Sequence, residues 1–285
     1  MKKISFNEEQ LKYFLNKINS GFSFKKLEDE SGFSRKIISR ELKKYLEKET
    51  NFSNRKYSLN ENYFEKIDSP NKAYWLGFIA ADGCVYETGS GSKVLSFNLN
   101  ILDTNHLEKF LNEIESEAKI KIKDGVGFGE GTKIASLQIN SKKIVEDLSK
   151  FGIVPKKSLI LKKPMIEEKY FSDWIRGYFD GDGSITVKLS NGNSQINFLG
   201  TKEVLTFIQE VLRPERKNTL HQNNEGKNSF SLTYGGTKLI LQLLDKFYKE
   251  PTIYLDRKYE KVLKVYSRFE EESSKLSEGE LLETP

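Results

Sequence analysis

Trp75-Leu76-Gly77-Phe78-Ile79-Ala80-Ala81-Asp82-Gly83 and Trp174-Ile175-Arg176-Gly177-Tyr178-Phe179-Asp180-Gly181-Asp182-Gly183 are two readings of one pattern, with the glycines and final aspartates offset by 100 residues. The duplication continues downstream. Residues 104–111 match 201–208 as helices with apolar positions inward. Residues 136–140 and the helix after them match 231–235 and their following helix, and Pro155-Lys156-Lys157-Ser158 corresponds to Asp256-Arg257-Lys258-Tyr259. Each copy reads helix, two strands, helix, two strands, helix. Self-similarity at this length marks a repeated supersecondary unit. The expected class is therefore α+β, with two αββαββα repeats over residues 70–163 and 164–269.

Within each motif the chemistry is set by small residues and one acid. Ser69 and Pro70 supply an N-cap and an N1 proline for the first helix, and Ser172 is the expected cap of the second. Gly83 and Gly183 stand where helix-terminating glycines stand, so Asp82 and Asp182 fall at helix C-termini. A carboxylate there opposes the helix dipole by roughly 0.3–1 kcal/mol, which a bound cation would offset. Gly77 with Ala81, and Gly177 with Gly181, recur four apart on one face, allowing two helices to touch through their backbones. Gly77 and Gly177 are thus the expected helix interface. Their packing would bring Asp82 and Asp182 together, a pair that a divalent cation would keep ionised. One Asp-Gly after a helix is an ordinary turn; two at matched positions of a duplicated unit point to a site.

Strand alternation predicts a polar face in each half. Leu95, Phe97, Leu99 and Ile101 face one way, and Ser96, Asn98 and Asn100 the other. Lys119, Lys121 and Lys123 alternate with Ile120 and Ile122, while Ser136, Gln138 and Asn140 alternate with Leu137 and Ile139. In the second half Thr186, Lys188, Ser190, Gln195, Asn197, Ser231 and Thr233 take the polar side, with Asn191-Gly192, Asp124-Gly125 and Gly226 as hairpin turns. An ordinary solvated sheet face carries Glu and Asp, yet no acid stands at these positions. Amides read adenine edges and cations hold phosphates, so a DNA-reading face is expected.

The flanks differ in character. Residues 1–46 read as helix, short helix, Gly turn and a third helix presenting Arg35, Lys36, Ser39 and Arg40, a helix-turn-helix pattern suited to DNA. Residues 47–69 are polar and read as an extended linker, and residues 270–285 as an acidic, disordered tail. The net charge is +5, but six glutamates against one lysine from Glu270 onward leave residues 1–269 with +10, which favours a polyanionic partner. One cysteine excludes an intrachain disulfide, and two histidines leave no zinc constellation. Any metal is then a hard, oxygen-bound one. No apolar run reaches a membrane span and no secretory leader is read at the start, so a soluble, non-secreted protein is expected, in the cytoplasm of a bacterial or phage-infected cell or in an organelle.

The two motifs and their repeat architecture, over roughly residues 70–265, resemble the LAGLIDADG homing endonucleases, named for the nine-residue motif. The resemblance implies a monomer whose pseudo-twofold sheets form a saddle over a long, asymmetric double-stranded DNA target. It implies Mg2+ (or Mn2+) held by Asp82 and Asp182 with the carbonyls of Ala81 and Gly181, and cleavage leaving short 3′ overhangs. It also implies a basic residue in each half near the chemistry, for which Lys157 and Lys258 are chosen over Lys156 and Arg257. Ala80 replaces the acid found at Asp180, so Asp180 is not counted as catalytic. Two alternatives use the same scaffold: an intron maturase binding RNA, and a DNA-binding regulator that does not cut.

Overall fold

The computed structural model describes residues 5–46, 57–125, 131–187 and 194–281. The chain divides into two units, residues 1–56 and 57–285.

In the first unit, α1 (Glu8–Asn19), α2 (Phe24–Ser31) and α3 (Arg35–Leu46) follow the expected order. Each helix starts and stops for local reasons. Asn7 and Gln10 form a reciprocal capping box on α1, Ser23 caps α2, and Gly32 ends α2 in the left-handed region at φ 71°, which a β-carbon disfavours. Leu11, Phe14, Leu27, Ile38 and Leu42 make a small buried core of their own.

The second unit begins earlier than the sequence suggested. Tyr63, Phe64 and Ile67 lie buried in the main core, and the Tyr63 hydroxyl donates to Glu113 at 2.7 Å. Residues 57–69 are therefore not an extended linker but part of the first repeat's packing.

Two repeats follow. The first runs α4 (Pro70–Asp82), β1 (Cys84–Glu87), β2 (Lys93–Asn100), α5 (Thr104–Glu113), β3 (Lys121–Asp124), β4 (Lys133–Asn140) and α6 (Lys142–Lys150). The second runs α7 (Phe171–Asp182), β5 (Gly183–Thr186), β6 (Gln195–Gly200), α8 (Lys202–Leu212), β7 (His221–Gln222), β8 (Phe230–Gly235) and α9 (Thr237–Tyr248), extended by α10 (Asp256–Leu281). Each forms a four-stranded antiparallel sheet, ordered β1-β2-β4-β3 and β5-β6-β8-β7. The αββαββα expectation holds in both halves. The expected disordered tail does not: the backbone of α10 is helical to Leu281. Val262 and Val265 anchor it in the core, and the Glu, Lys and Leu beyond are good helix formers.

One apolar core joins both halves, with α4 and α7 as its spine. Every residue of α4 from Ala73 to Ala80 is buried. A helix apolar all round has no solvent face. The sheets supply the surrounding layer, with Val85, Leu95, Phe97, Leu137 and Ile139 packed beneath one helix and Ile185, Ile196, Phe198, Leu232 and Tyr234 beneath the other. The reading fails at β3. Ile122 is 51% exposed, because no described residue covers the inward side of this edge strand.

Candidate active site

The two motif helices meet through their glycines. A β-carbon on Gly77 would press on the Trp174 carbonyl and lie 2.9 Å from the Tyr178 nitrogen. One on Gly177 would press on the Tyr74 carbonyl and lie 2.9 Å from the Phe78 nitrogen. Farther along, a β-carbon on Gly181 would run into the Ala81 methyl and lie 3.3 Å from the Asp82 nitrogen. Backbone thus faces backbone down to the helix ends, and the two final aspartates come side by side.

The glycines after them act differently from a left-handed helix cap. Gly83 and Gly183 are extended, at φ −73° and −87°. A β-carbon there would lie 2.8 Å from the Ile79 oxygen or 2.5 Å from the Phe179 oxygen, so the need is for room rather than for a positive φ. The chain passes from helix directly into β1 or β5, which fixes the aspartates at the inner edge of the sheets. Nor does Ser172 cap α7, which begins one residue earlier behind Tyr170 without a side-chain cap.

Neither Asp82 nor Asp182 receives a hydrogen bond from the described residues, whereas Asp180 receives three. Tyr74 Oη donates to it at 2.7 Å, the Leu255 amide at 2.8 Å, and Tyr248 Oη as well. Asp180 is fully buried and ties α4, α7 and α9 together. Burial pushes the Asp182 carboxyl up to about 6, and the charge of Asp82 adds to the shift. Asp82 moves in the same direction through burial, opposed by the Lys258 and Lys157 ammonium groups.

Lys157 and Lys258 seal the helix ends. Lys157 Nζ donates to the carbonyl oxygens of Gly83 at 2.5 Å and Ala81 at 3.3 Å. Lys258 Nζ reaches four, Phe179 at 2.6 Å, Asp180 at 2.7 Å, Gly181 at 3.1 Å and Gly183 at 2.5 Å. A cation at the carbonyl end of a helix is favoured by the dipole. Both lysines are buried, and burial lowers both, Lys258 to about 8. Their neighbours point elsewhere. Lys156 is exposed with φ 60°, and Arg257 pairs with Asp103 at 2.9 and 3.1 Å. Of the two basic residues in each segment, Lys157 and Lys258 are the ones at the aspartates.

The donor set suits a hard divalent cation. It comprises the Asp82 and Asp182 carboxylates, which have no hydrogen-bond partner among the described residues, and the Ala81 and Gly181 carbonyls, all oxygen. No cluster of three acidic, His or Cys side chains occurs among the described residues. Carboxylate and carbonyl oxygens are the ligand types that hard divalent cations accept, with waters completing the shell.

On the open sheet faces the expected residues divide. Asn98, Asn100, Lys121, Lys123, Gln138 and Asn140 are exposed in the first half, as are Thr186 and Gln195 in the second, with Asn197, Ser231 and Thr233 half-buried. Ser96 and Ser136 lie on the expected side but are buried, at 6% and 4% exposure. Short side chains on central strands are covered by longer neighbours; Lys123 Nζ bonds the Ser136 hydroxyl at 3.0 Å. Lys119 precedes β3 and belongs to no strand, and Ile101 lies in a 3-10 turn after β2. The Asn100 side chain caps that turn by accepting from the Leu102 amide. Lys188, Ser190 and the Asn191-Gly192 turn lie outside the described residues. Arg35, Lys36, Ser39 and Arg40 line one depression on the helical unit with Phe24 and Lys43.

The strand reading missed several face residues. Tyr86 accepts a bond from Gln138 Nε2 at 3.0 Å, and Cys84 is exposed beside it. Alternation along residues 84–87 contained both. Arg216, Lys217, Asn218 and His221 line a depression against Thr233. The basic run 213–217 was the only signal for these.

No known protein family or curated protein matches the sequence. Solved structures do share the fold. The LAGLIDADG homing endonuclease I-GzeII in complex with its DNA target aligns over 72% of this chain and 92% of its own at 12% identity, with a TM-score of 0.51. The LAGLIDADG meganuclease I-CpaMI bound to uncleaved DNA aligns over 74% and 92% at 13% identity, with a TM-score of 0.50.

Proposed function

We propose that this chain, which has the fold of the LAGLIDADG homing endonucleases, is a site-specific DNA endonuclease acting as a monomer on double-stranded DNA. The observation that carries the reading is the pair Asp82 and Asp182, the first exposed and the second half-buried at touching helix ends, without hydrogen-bond partners among the described residues and each beside a buried lysine. A scaffold that only bound DNA would gain nothing from two adjacent carboxylates facing the phosphates it must hold.

Asp82, Asp182 and the Ala81 and Gly181 carbonyls would hold Mg2+ or Mn2+, which supplies Lewis acidity and a more acidic bound water. The chain's own groups do the rest. The sheet faces hold the duplex so that its two backbones cross the paired helix ends. Lys157 and Lys258 place ammonium groups next to the charge that develops on each phosphate as a water oxygen, giving up its proton, bonds to phosphorus and the bond to the 3′ oxygen breaks; the products are a 5′ phosphate and a 3′ oxygen that takes up a proton. Two such centres, one for each strand, would leave a short 3′ overhang. Asp180, bound up by Tyr74, Tyr248 and the Leu255 amide, holds the helices and takes no part in the chemistry. The helix-turn-helix unit, through Arg35, Lys36, Ser39 and Arg40, adds contacts that lengthen the site.

Incubating the protein and Mg2+ with a plasmid library carrying randomised inserts, and capturing linear products, tests this. Wild type should yield a recurrent cut sequence, and Asp82→Asn or Asp182→Asn should abolish cutting while retaining binding. Tight, Mg2+-independent binding of a sequence that is never cut would indicate the regulator instead. Selective rescue of intron splicing without DNA cutting would indicate the maturase.

A further inference from the structure

The registers of the two sheets allow their open faces to be compared row by row. Cys84 pairs with Ser96, and Ser184 with Asn197, so the strands after the two motifs bring equivalent residues into line. One row out, the first half presents Asn98, Ser136 and Lys121 across β2, β4 and β3. The second half presents Leu199, Ser231 and His221 across β6, β8 and β7. The middle serine is common; the flanking pair changes from amide and ammonium to isobutyl and imidazole.

Leu199 is out of place on that face. It is 43% exposed, while its strand neighbours Ile196 and Phe198 are wholly buried and Asn197 beside it bonds Thr233. Its backbone is fixed from below, where Tyr178 Oη donates to its carbonyl at 2.8 Å, so the side chain stays on the open side. No carboxylate stands on the outward positions of the described strands of this half. The occupant that suits an aliphatic group set among hydrogen-bonding groups is the major groove of DNA. There thymine alone offers a methyl group, beside an O4 acceptor.

We propose that Leu199 selects thymine in the second half-site by covering its 5-methyl group, with the His221 ring in the same row donating to the neighbouring acceptor. Asn98 and Lys121, the equivalents in the first half, suit a purine edge instead. The target is then asymmetric at this row. This inference rests on the DNA-cleavage reading above and adds the base that one position chooses.

The test uses the full chain and the duplex enriched from the random library. Each thymine of the second half-site is replaced singly by uracil, which lacks only the methyl group, and Kd is measured without metal. Wild type should show one thymine at which uracil weakens binding about fourfold, ~0.8 kcal/mol, the worth of one methyl-sized group. Leu199→Ser and Leu199→Asn, which bring no methyl group to the base, should bind the thymine and uracil duplexes equally. In wild type, 5-methylcytosine at that position should bind more tightly than cytosine. A wild-type scan without a uracil-sensitive thymine overturns the proposal, whatever the variants do. So does a sensitivity that persists in the Leu199 variants. If no duplex is enriched at all, the DNA reading itself fails with it.

Discussion

Replacing Gly177 by alanine tests the claim that everything at the site depends on backbone contact between α4 and α7. An added methyl would lie 2.8 Å from the Tyr74 carbonyl carbon, 2.9 Å from the Phe78 nitrogen, and closer still to the Tyr74 oxygen. All three are main-chain atoms of the facing helix, so no rotamer change can relieve the clash. Ordinary carbon contacts are ~3.5 Å or more, so the helices must separate by roughly 1 Å. Overpacking a core costs about 1–3 kcal/mol, and the rigid partner places this case at or above the upper end. Alanine regains about 1 kcal/mol of helix propensity over glycine. The net loss is then about 2 kcal/mol or more, or ~4–8 °C in Tm for a domain of this size. Thermal melts by circular dichroism measure it, with Gly152→Ala, a left-handed glycine away from the helix pair, as a control for backbone strain alone. Cleavage should fall further than stability, because the same separation parts Asp82 from Asp182. A Gly177→Ala protein melting within 1 °C of wild type with full activity would refute the helix contact as the element that sets the site.

Three further outcomes follow from the same contacts. Lys258→Met strips four carbonyls of their donor and should cost about 2–3 kcal/mol in urea unfolding, more than Lys157→Met, which strips two. Either variant should accumulate nicked plasmid, whereas Lys156→Gln should cut normally. Asp180→Asn turns an acceptor of three bonds into a group that faces donors with donors; a loss of about 3 kcal/mol is expected, with cutting per folded molecule unchanged. Asp182 titrates about 6 in the fold against an ordinary 3.8, so the folded state holds the extra proton between those values and metal-free stability falls as pH rises through that window. The full shift is about 3 kcal/mol, which partial solvent contact reduces to about 1–2 kcal/mol. Asp182→Asn should therefore match wild type at pH 4, exceed it above pH 6 in EDTA, and lose that advantage in Mg2+; a pH-independent difference would contradict this.

What was legible in the sequence and what was not divides along a physical line. The repeat, the glycine face and the final aspartates are local patterns, and periodicity places them on helices whatever surrounds them. Alternation likewise put Asn98, Gln138, Gln195 and Thr233 on the right side of their strands. It carries no information about depth, which is why Ser96 and Ser136 were expected on the surface and are buried. Ile122 failed for the opposite reason, an inward side with no cover. Tyr63, Phe64 and Ile67 have no period at all; their burial comes from α5, some 50 residues away, through contacts such as Tyr63 to Glu113. Lys157 and Lys258 are chosen over Lys156 and Arg257 by resemblance, since adjacent basic residues are indistinguishable by composition; their contacts with the helix-end carbonyls could be read only from the fold. An acidic, Ser-rich tail reads as disorder by composition, yet Glu, Lys and Leu also propagate a helix once Val262 and Val265 have started it.

The buried Asp180 has an implication for descent. Its counterpart in the first motif is Ala80, and its partner Tyr74 has Trp174 as counterpart, which offers no hydroxyl. Two copies of the second half could not pair as the halves do here. They would bury two aspartates and leave each without its tyrosine from the facing helix. The second half thus depends on its unlike sibling for a partner to its buried acid. Split between residues 163 and 164, the second piece should not pair with itself and should assemble only when the first is coexpressed.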